Sequence, residues 1–215
     1  MRPRFSLAVD PILLDVLNLL DQISANEPVS AEEARDRIQN RFRETDARLT
    51  TDHERDGWEL AKYALVAWID DVLIDAPWAG STWWENNSLE FAFFNTRERA
   101  TAFFKKADEA ALLTRRDALE VFYVCVILGF RGLYALQDAT FLAEQLELPP
   151  DAPSWQKRVA RLIEYGQGRP PIDGIPRPGA GAPPLEGKFQ LLSTGMITVA
   201  LALTAVVLGY YVFLL

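Results

Sequence analysis

Two residue types that build most metal and nucleophilic sites are nearly missing from this sequence. Its 215 residues include one cysteine, Cys125, and one histidine, His53. One cysteine allows no disulfide within the chain and no thiolate metal cluster. It sits in an apolar run, and a chain without an internal disulfide fits a reducing compartment. One histidine argues against a histidine triad or an imidazole-rich metal site; His53 reads as an exposed position in a helical first turn. Dense basic runs are also missing: the 22 Lys and Arg are scattered, and the net charge is −8. Phosphate binding needs a basic patch, so nucleic acid is not an expected partner. The acidity suits basic protein partners, though solubility is its simpler reading. No segment alternates with period two, so strands are not expected. No internal repeat is visible. The nucleophile elbow G-x-S-x-G and the phosphate loops G-x-x-x-x-G-K-[ST] and G-x-G-x-x-G are absent. The first eleven residues lack the apolar core of a signal peptide.

What is present is helical punctuation. Asp10 as N-cap and Pro11 at the first helical position predict a helix over 11–24, with Leu13, Val16, Leu17, Leu20 and Ile23 on its apolar side. Ser30-x-x-Glu33 is a capping box opening a second helix. Its stripe is Ala34, Ile38, Phe42 and Leu49, and its arginines decorate a solvated face. Thr51-x-x-Glu54 opens a third helix to about residue 75, apolar on most sides and therefore buried on most sides. A Gly/Ser/Trp-rich loop should follow, with Gly80-Ser81 a turn, then a short helix over 88–94. Further helices are expected from 95 or 96 to 112, from a Thr114-x-x-Asp117 cap onward, over 139–145 and over 154–165. The apolar run at 121–130 is too short for a bilayer, which needs ~20 residues. It reads as the central helix, packed against the third, ending at Arg131-Gly132. The fold class is all-α.

The chain is organised around 58–84, WELAKYALVAWIDDVLIDAPWAGSTWW, which holds five of the six tryptophans and sets Asp70, Asp71 and Asp75 into an apolar helix. One reading of these acids is chemical. Helical isoprenoid synthases hold magnesium and diphosphate with a related motif, and carboxylates at i and i+4 suit that ion. Against it, Asp117 and Glu120 make a poor second cluster, and basic residues for a diphosphate are lacking nearby. The other reading is structural: Asp70 or Asp71 pairs with Arg131 or caps a neighbouring helix, since an acid among apolar residues must be satisfied or protonated. Failing both, it lines a cleft open to water. The tryptophans divide the same way, between core packing and partner hot spots.

The C-terminal quarter changes character. Residues 166–187 hold six prolines and six glycines, a composition that spaces rather than folds. Residues 189–215 carry no charge, and ~20 apolar residues span a ~30 Å hydrocarbon core. The expected organisation is a helical domain over 1–165, a Pro/Gly-rich linker over 166–188 and a transmembrane anchor in the lipid bilayer over 189–215. Arg169, Arg177 and Lys188 precede the anchor, so the positive-inside rule leaves the large domain cytoplasmic and the C-terminus periplasmic. Ala205-x-x-x-Gly209 is a small-xxx-small pair that would let two anchors associate as a homodimer or higher.

Several spaced motifs, in order, resemble the DotU/TssL (IcmH/DotU) family. The A-x-x-A-x-I-D-[DE] helix falls on 64–71 and the P-W turn with its downstream Trp on 77–84. The L-E…F-N segment falls on 89–95 and the L-E-x-[FY]-Y-x-C-[LVI]-x-L-G-[FY]-x-G helix on 119–132. The resemblance covers about 7–145. It implies an inner-membrane component of bacterial type VI secretion systems, with a cytoplasmic all-α domain of two small packed bundles, hook-like, and one C-terminal transmembrane helix. It implies as partners an IcmF/TssM-type inner-membrane protein and cytoplasmic baseplate proteins, with docking at a cleft that carries Asp70 and Asp71. Some members carry a peptidoglycan-binding domain beyond the membrane helix. None is seen in this sequence, so wall anchoring is expected from a partner. The candidate partner-binding set is Asp70, Asp71, Asp75, Trp78, Trp83, Trp84 and Arg131. No catalytic residue, metal or cofactor is expected. The expected function is a non-enzymatic scaffold, and the alternative is a membrane-tethered magnesium-dependent enzyme using Asp70, Asp71 and Asp75.

Overall fold

The structure, a computed structural model, describes residues 1–49 and 52–166. The proposed linker beyond residue 166, the proposed transmembrane segment with Ala205 and Gly209, the Thr51 cap and the His53 side chain lie outside the described residues. Among the described residues all regular structure is helical. In chain order it comprises α1 (Pro3–Ser24), α2 (Ala31–Arg48), α3 (Asp52–Asp75), α4 (Ser81–Asn86), α5 (Leu89–Phe94), α6 (Arg99–Leu112), α7 (Asp117–Ile127), a 3₁₀ turn (Gly132–Ala135), α8 (Ala139–Gln145) and α9 (Ala152–Gly166).

α3 is the axis of the packing. Every residue from 61 to 70 is buried, so the helix has no solvated face over that length. It touches α1, α4, α5, α6 and α7; α7 in turn packs on α6 and α9. Trp58, Trp68, Trp84 and Trp155 are each at most 1% exposed. An indole buries about 150–250 Å2, worth about 4–6 kcal/mol gross at ~25 cal/mol per Å2. The stretch Asp117–Ala135 is apolar enough to resemble a membrane span, with mean hydropathy 1.6, yet half of it is buried. Its packing on α3, α6 and α9 makes it the core helix that its sequence predicts.

Several expectations are corrected. α1 starts eight residues early, at Pro3, and Pro11 lies inside it rather than at its first position. A proline there removes one helical hydrogen bond and costs about 3 kcal/mol. Burying Phe5, Ala8 and Val9 against the core offsets that cost. Residues 81–86 form a helix, α4, where a loop is expected, because burial of Trp84 fixes the chain there. α6 starts at Arg99, since Asn95 adopts a left-handed conformation (φ 54°) that ends α5. Thr114 is not the cap of α7: Arg116 stands at its N-cap position, and the Asp117 carboxylate accepts from Arg2 N and Nε. α7 stops at Ile127, and Gly129 (φ 107°) turns the chain. The fourth buried position of α2 is Thr45, not Leu49. The Ser30 cap is as expected, its hydroxyl accepting from Glu33 N at 3.3 Å.

Candidate functional site

Asp70 is fully buried. Its Oδ1 accepts from Trp84 Nε1 at 2.9 Å and Leu89 N at 2.9 Å, and its Oδ2 accepts from Glu90 N at 2.8 Å. Leu89 and Glu90 are the first two residues of α5, and the next amide, Phe91 N, donates to Ser88 Oγ at 3.4 Å. A helix opens with orphan N–H groups and a partial positive charge, and a carboxylate satisfies both. Asp70 is therefore the N-terminal clamp of α5, tied also to the Trp84 indole of α4. Burial pushes its carboxyl up to about 6, while the three donated hydrogen bonds and Arg99 pull it down. At neutral pH it is an acceptor-only carboxylate facing three donors.

Asp71 serves a second joint. Its Oδ2 accepts from Arg131 N at 3.1 Å and Gly132 N at 3.5 Å, and its Oδ1 lies 3.7 Å from Arg99 Nε. The pairing with Arg131 thus runs through the backbone, not the guanidinium. Gly132 is left-handed (φ 50°), and a Cβ there would meet the Phe130 ring at 2.7 Å and the Ala100 carbonyl at 3.0 Å. Successive amides in this conformation form an anion-binding concavity, which Asp71 fills. Burial raises its carboxyl, against the Arg131 amide and Arg99.

The remaining candidates separate by exposure. Asp75 and Arg131 are exposed, Trp78 and Trp83 are half-buried, and Trp84 is buried with Asp70. Asp70 and Trp84 are thus removed from any direct contact with a partner: they position α4 and α5. Trp78 sits between the two groups. Its Nε1 donates to the Leu73 carbonyl at 2.7 Å, and its ring centroid is 6.3 Å from that of Trp84.

The magnesium reading finds no support in this arrangement. Asp70 spends its oxygens on amides and an indole, and Asp71 faces two amides with one oxygen and the Arg99 guanidinium with the other. Asp117 and Glu120 sit at the opposite end of α7 from Arg131, paired with Arg2 and the N-terminal amine. The eleven residues of α7 separate those ends by about 16 Å. Among the described residues no group of three or more His, Cys, Asp or Glu is placed to hold a metal ion.

Glu90 is the residue that sequence reasoning missed. It is fully buried, and its Oε1 accepts from Tyr63 OH at 3.0 Å, Thr96 Oγ1 at 2.9 Å and Glu98 N at 2.9 Å. Oε2 has no partner among the described residues. One carboxylate oxygen thereby pins the link from α5 to α6 onto α3. The available signal was an acid inside the apolar LEFAFF run.

The sequence model of a family described as type VI secretion system protein DotU matches residues 7–215. Among solved structures, the cytoplasmic domain of TssL from Acinetobacter baumannii is similar, with a TM-score of 0.54 and 24% identity. That likeness covers 72% of this chain and 96% of the other, and it speaks to the fold. No curated protein is a match. The family match spans nearly the whole sequence. The chain belongs to the DotU family of type VI secretion system proteins.

Proposed function

We propose that the chain is a non-enzymatic scaffold that joins cytoplasmic baseplate proteins to the membrane complex of a type VI secretion system. The observation that carries this reading is the fate of the two acids on α3. Both are used up in holding helices together, Asp70 at α5 and Asp71 at the turn after α7. What they hold up is a set of exposed or half-exposed groups, Asp75, Trp78, Trp83 and Arg131. Aromatic side chains and arginine anchor interfaces more often than other types. The helical domain, like the TssL domain it resembles, would be cytoplasmic. The uncharged segment 189–215 would anchor it in the bacterial inner membrane as a single span. An IcmF/TssM-type protein would be its neighbour there, and Ala205 and Gly209 would bring two anchors together.

The test is recovery of type VI partners from membranes with the full chain, repeated with Asp75→Ala/Arg131→Ala. This pair is preferable to any variant at Asp70, whose loss would disturb the fold itself. The intact chain should recover the membrane and baseplate partners, and the double variant should keep the first while losing the second. Recovery of neither by the intact chain would refute the scaffold reading.

A further inference from the structure

The α1–α2 connection and the turn after α3 enclose a groove of about 570 Å3, lined in part by Ile23, Glu27, Val29, Glu33, Pro77 and Trp78. Hydrogen bonds hold both of its walls. Asn26 turns the chain in a left-handed conformation (φ 56°), with Asn26 N donating to Ile23 O and Glu27 N to Gln22 O, each at 3.0 Å. Across the groove, the Trp78 indole is held by its bond to Leu73 O. It also lies so close over Gly80 that a Cβ there would come within 2.5 Å of the ring. A half-exposed indole already held by a hydrogen bond has less side-chain freedom to lose on binding.

The charged side chains that line this groove have one sign. Glu27 and Glu33 line the groove, both are exposed, and neither is in an ion pair among the described residues. No Lys or Arg lines it. An indole that shares a groove with two carboxylates outside any ion pair attracts a cation by ring quadrupole and by charge, and the carboxylates repel an acid. Ile23, Val29 and Ala79 give the neighbouring surface its apolar part. The volume falls within the range typical of binding clefts, about 300–1,000 Å3.

We propose that this groove seats a partner segment carrying an arginine or lysine beside an aliphatic side chain, the cation over Trp78 between Glu27 and Glu33. The proposal rests on the docking reading above and gives the chemistry of one of its contacts. The site is separate from the joint that Asp71 makes with Arg131.

The test uses the full chain in dodecyl maltoside micelles, labelled with 5-fluorotryptophan. The six indoles give six fluorine resonances, and Trp78→Phe identifies that of Trp78. The probe is the peptide acetyl-Leu-Arg-Leu-amide, with acetyl-Leu-Glu-Leu-amide as control. The expected result is a saturable shift of the Trp78 resonance with the arginine peptide, while those of buried Trp58, Trp68 and Trp155 stay in place. Glu27→Gln/Glu33→Gln, at two exposed positions, should weaken the response about five- to tenfold. A Trp78 resonance that does not saturate, answers both peptides equally, or is indifferent to the double substitution would overturn the proposal. Because the readout is the indole and not partner recovery, that failure leaves the scaffold reading standing. Failed recovery from membranes, conversely, leaves this measurement unaffected.

Discussion

At the scale of single residues, two buried acids separated by twenty positions have different tolerances. Both oxygens of Asp70 accept hydrogen bonds, whereas Glu90 concentrates three donors on Oε1 and leaves Oε2 without one. An amide replaces one acceptor oxygen by a donor nitrogen. Asp70→Asn therefore sets a donor against a donor and is expected to cost about 2–4 kcal/mol at neutral pH. Glu90→Gln keeps all three bonds by placing its nitrogen where Oε2 was, and is expected to cost under about 1 kcal/mol. Urea unfolding of the two variants checks this order, and equal losses would contradict it. Asp70 also gives the domain a pH dependence. Its folded carboxyl, at about 6, lies above the ordinary value of 3.8. Between those values the folded chain holds a proton that the unfolded chain has released. The associated stability is present below about pH 4 and is lost as pH rises through about 6. The stability gap between wild type and Asp70→Asn should accordingly shrink from pH 4 to pH 7. Sequence reasoning could read from these residues that an acid in an apolar helix must cap or pair. It could not read which helix, because Leu89 and Glu90 reach Asp70 only when α5 folds back on α3.

At the scale of elements, local rules held where nothing overrode them. The Ser30 cap, the end of α3 at Asp75 and the whole of α8 are where propensity and capping place them. α1 shows the override. Proline signals a helix start, but the apolar residues before Pro11 fit the core, and burial extended the helix through it. The carbonyl left without its helical donor is that of Leu7, a residue 71% exposed, so water can serve it. Pro11→Ala restores the missing N–H. It should stabilise the domain by about 1–2 kcal/mol, once the added freedom of the unfolded chain is counted. A thermal melt should rise by about 2–4 °C per kcal/mol. A lowered melting temperature would mean that the proline ring itself is packed to advantage. α4 was illegible for a similar reason. Its six residues are too few for periodicity to register, and the burial that selects a helix there depends on Trp84 meeting Asp70.

At the scale of the whole molecule, one apolar core runs from Phe5 to Ile163, and Cys125 lies inside it. Burial pushes its thiol well above the usual range, so the reactive thiolate is suppressed. Thiol reagents should therefore report global opening: modification of the folded chain should be slow and should accelerate in step with urea unfolding. Fast reaction in native buffer would show that α7 detaches locally. The all-α class and the central pairing of α3 with α7 were legible because long apolar runs must be buried against something. The division of labour among the acids was not, since it is decided by contacts across the chain. The clamp at Asp70 has a kinetic consequence as well. Its partners lie 14 to 20 residues away, while the bonds from α3 to the end of α7 close 60 residues. Shorter loops cost less entropy to close, and local contacts form first. α3, α4 and α5 should condense as a nucleus, with α7 arriving later. In refolding kinetics Glu90 and Trp84 variants should slow folding, whereas variants at the Asp71 joint should chiefly speed unfolding.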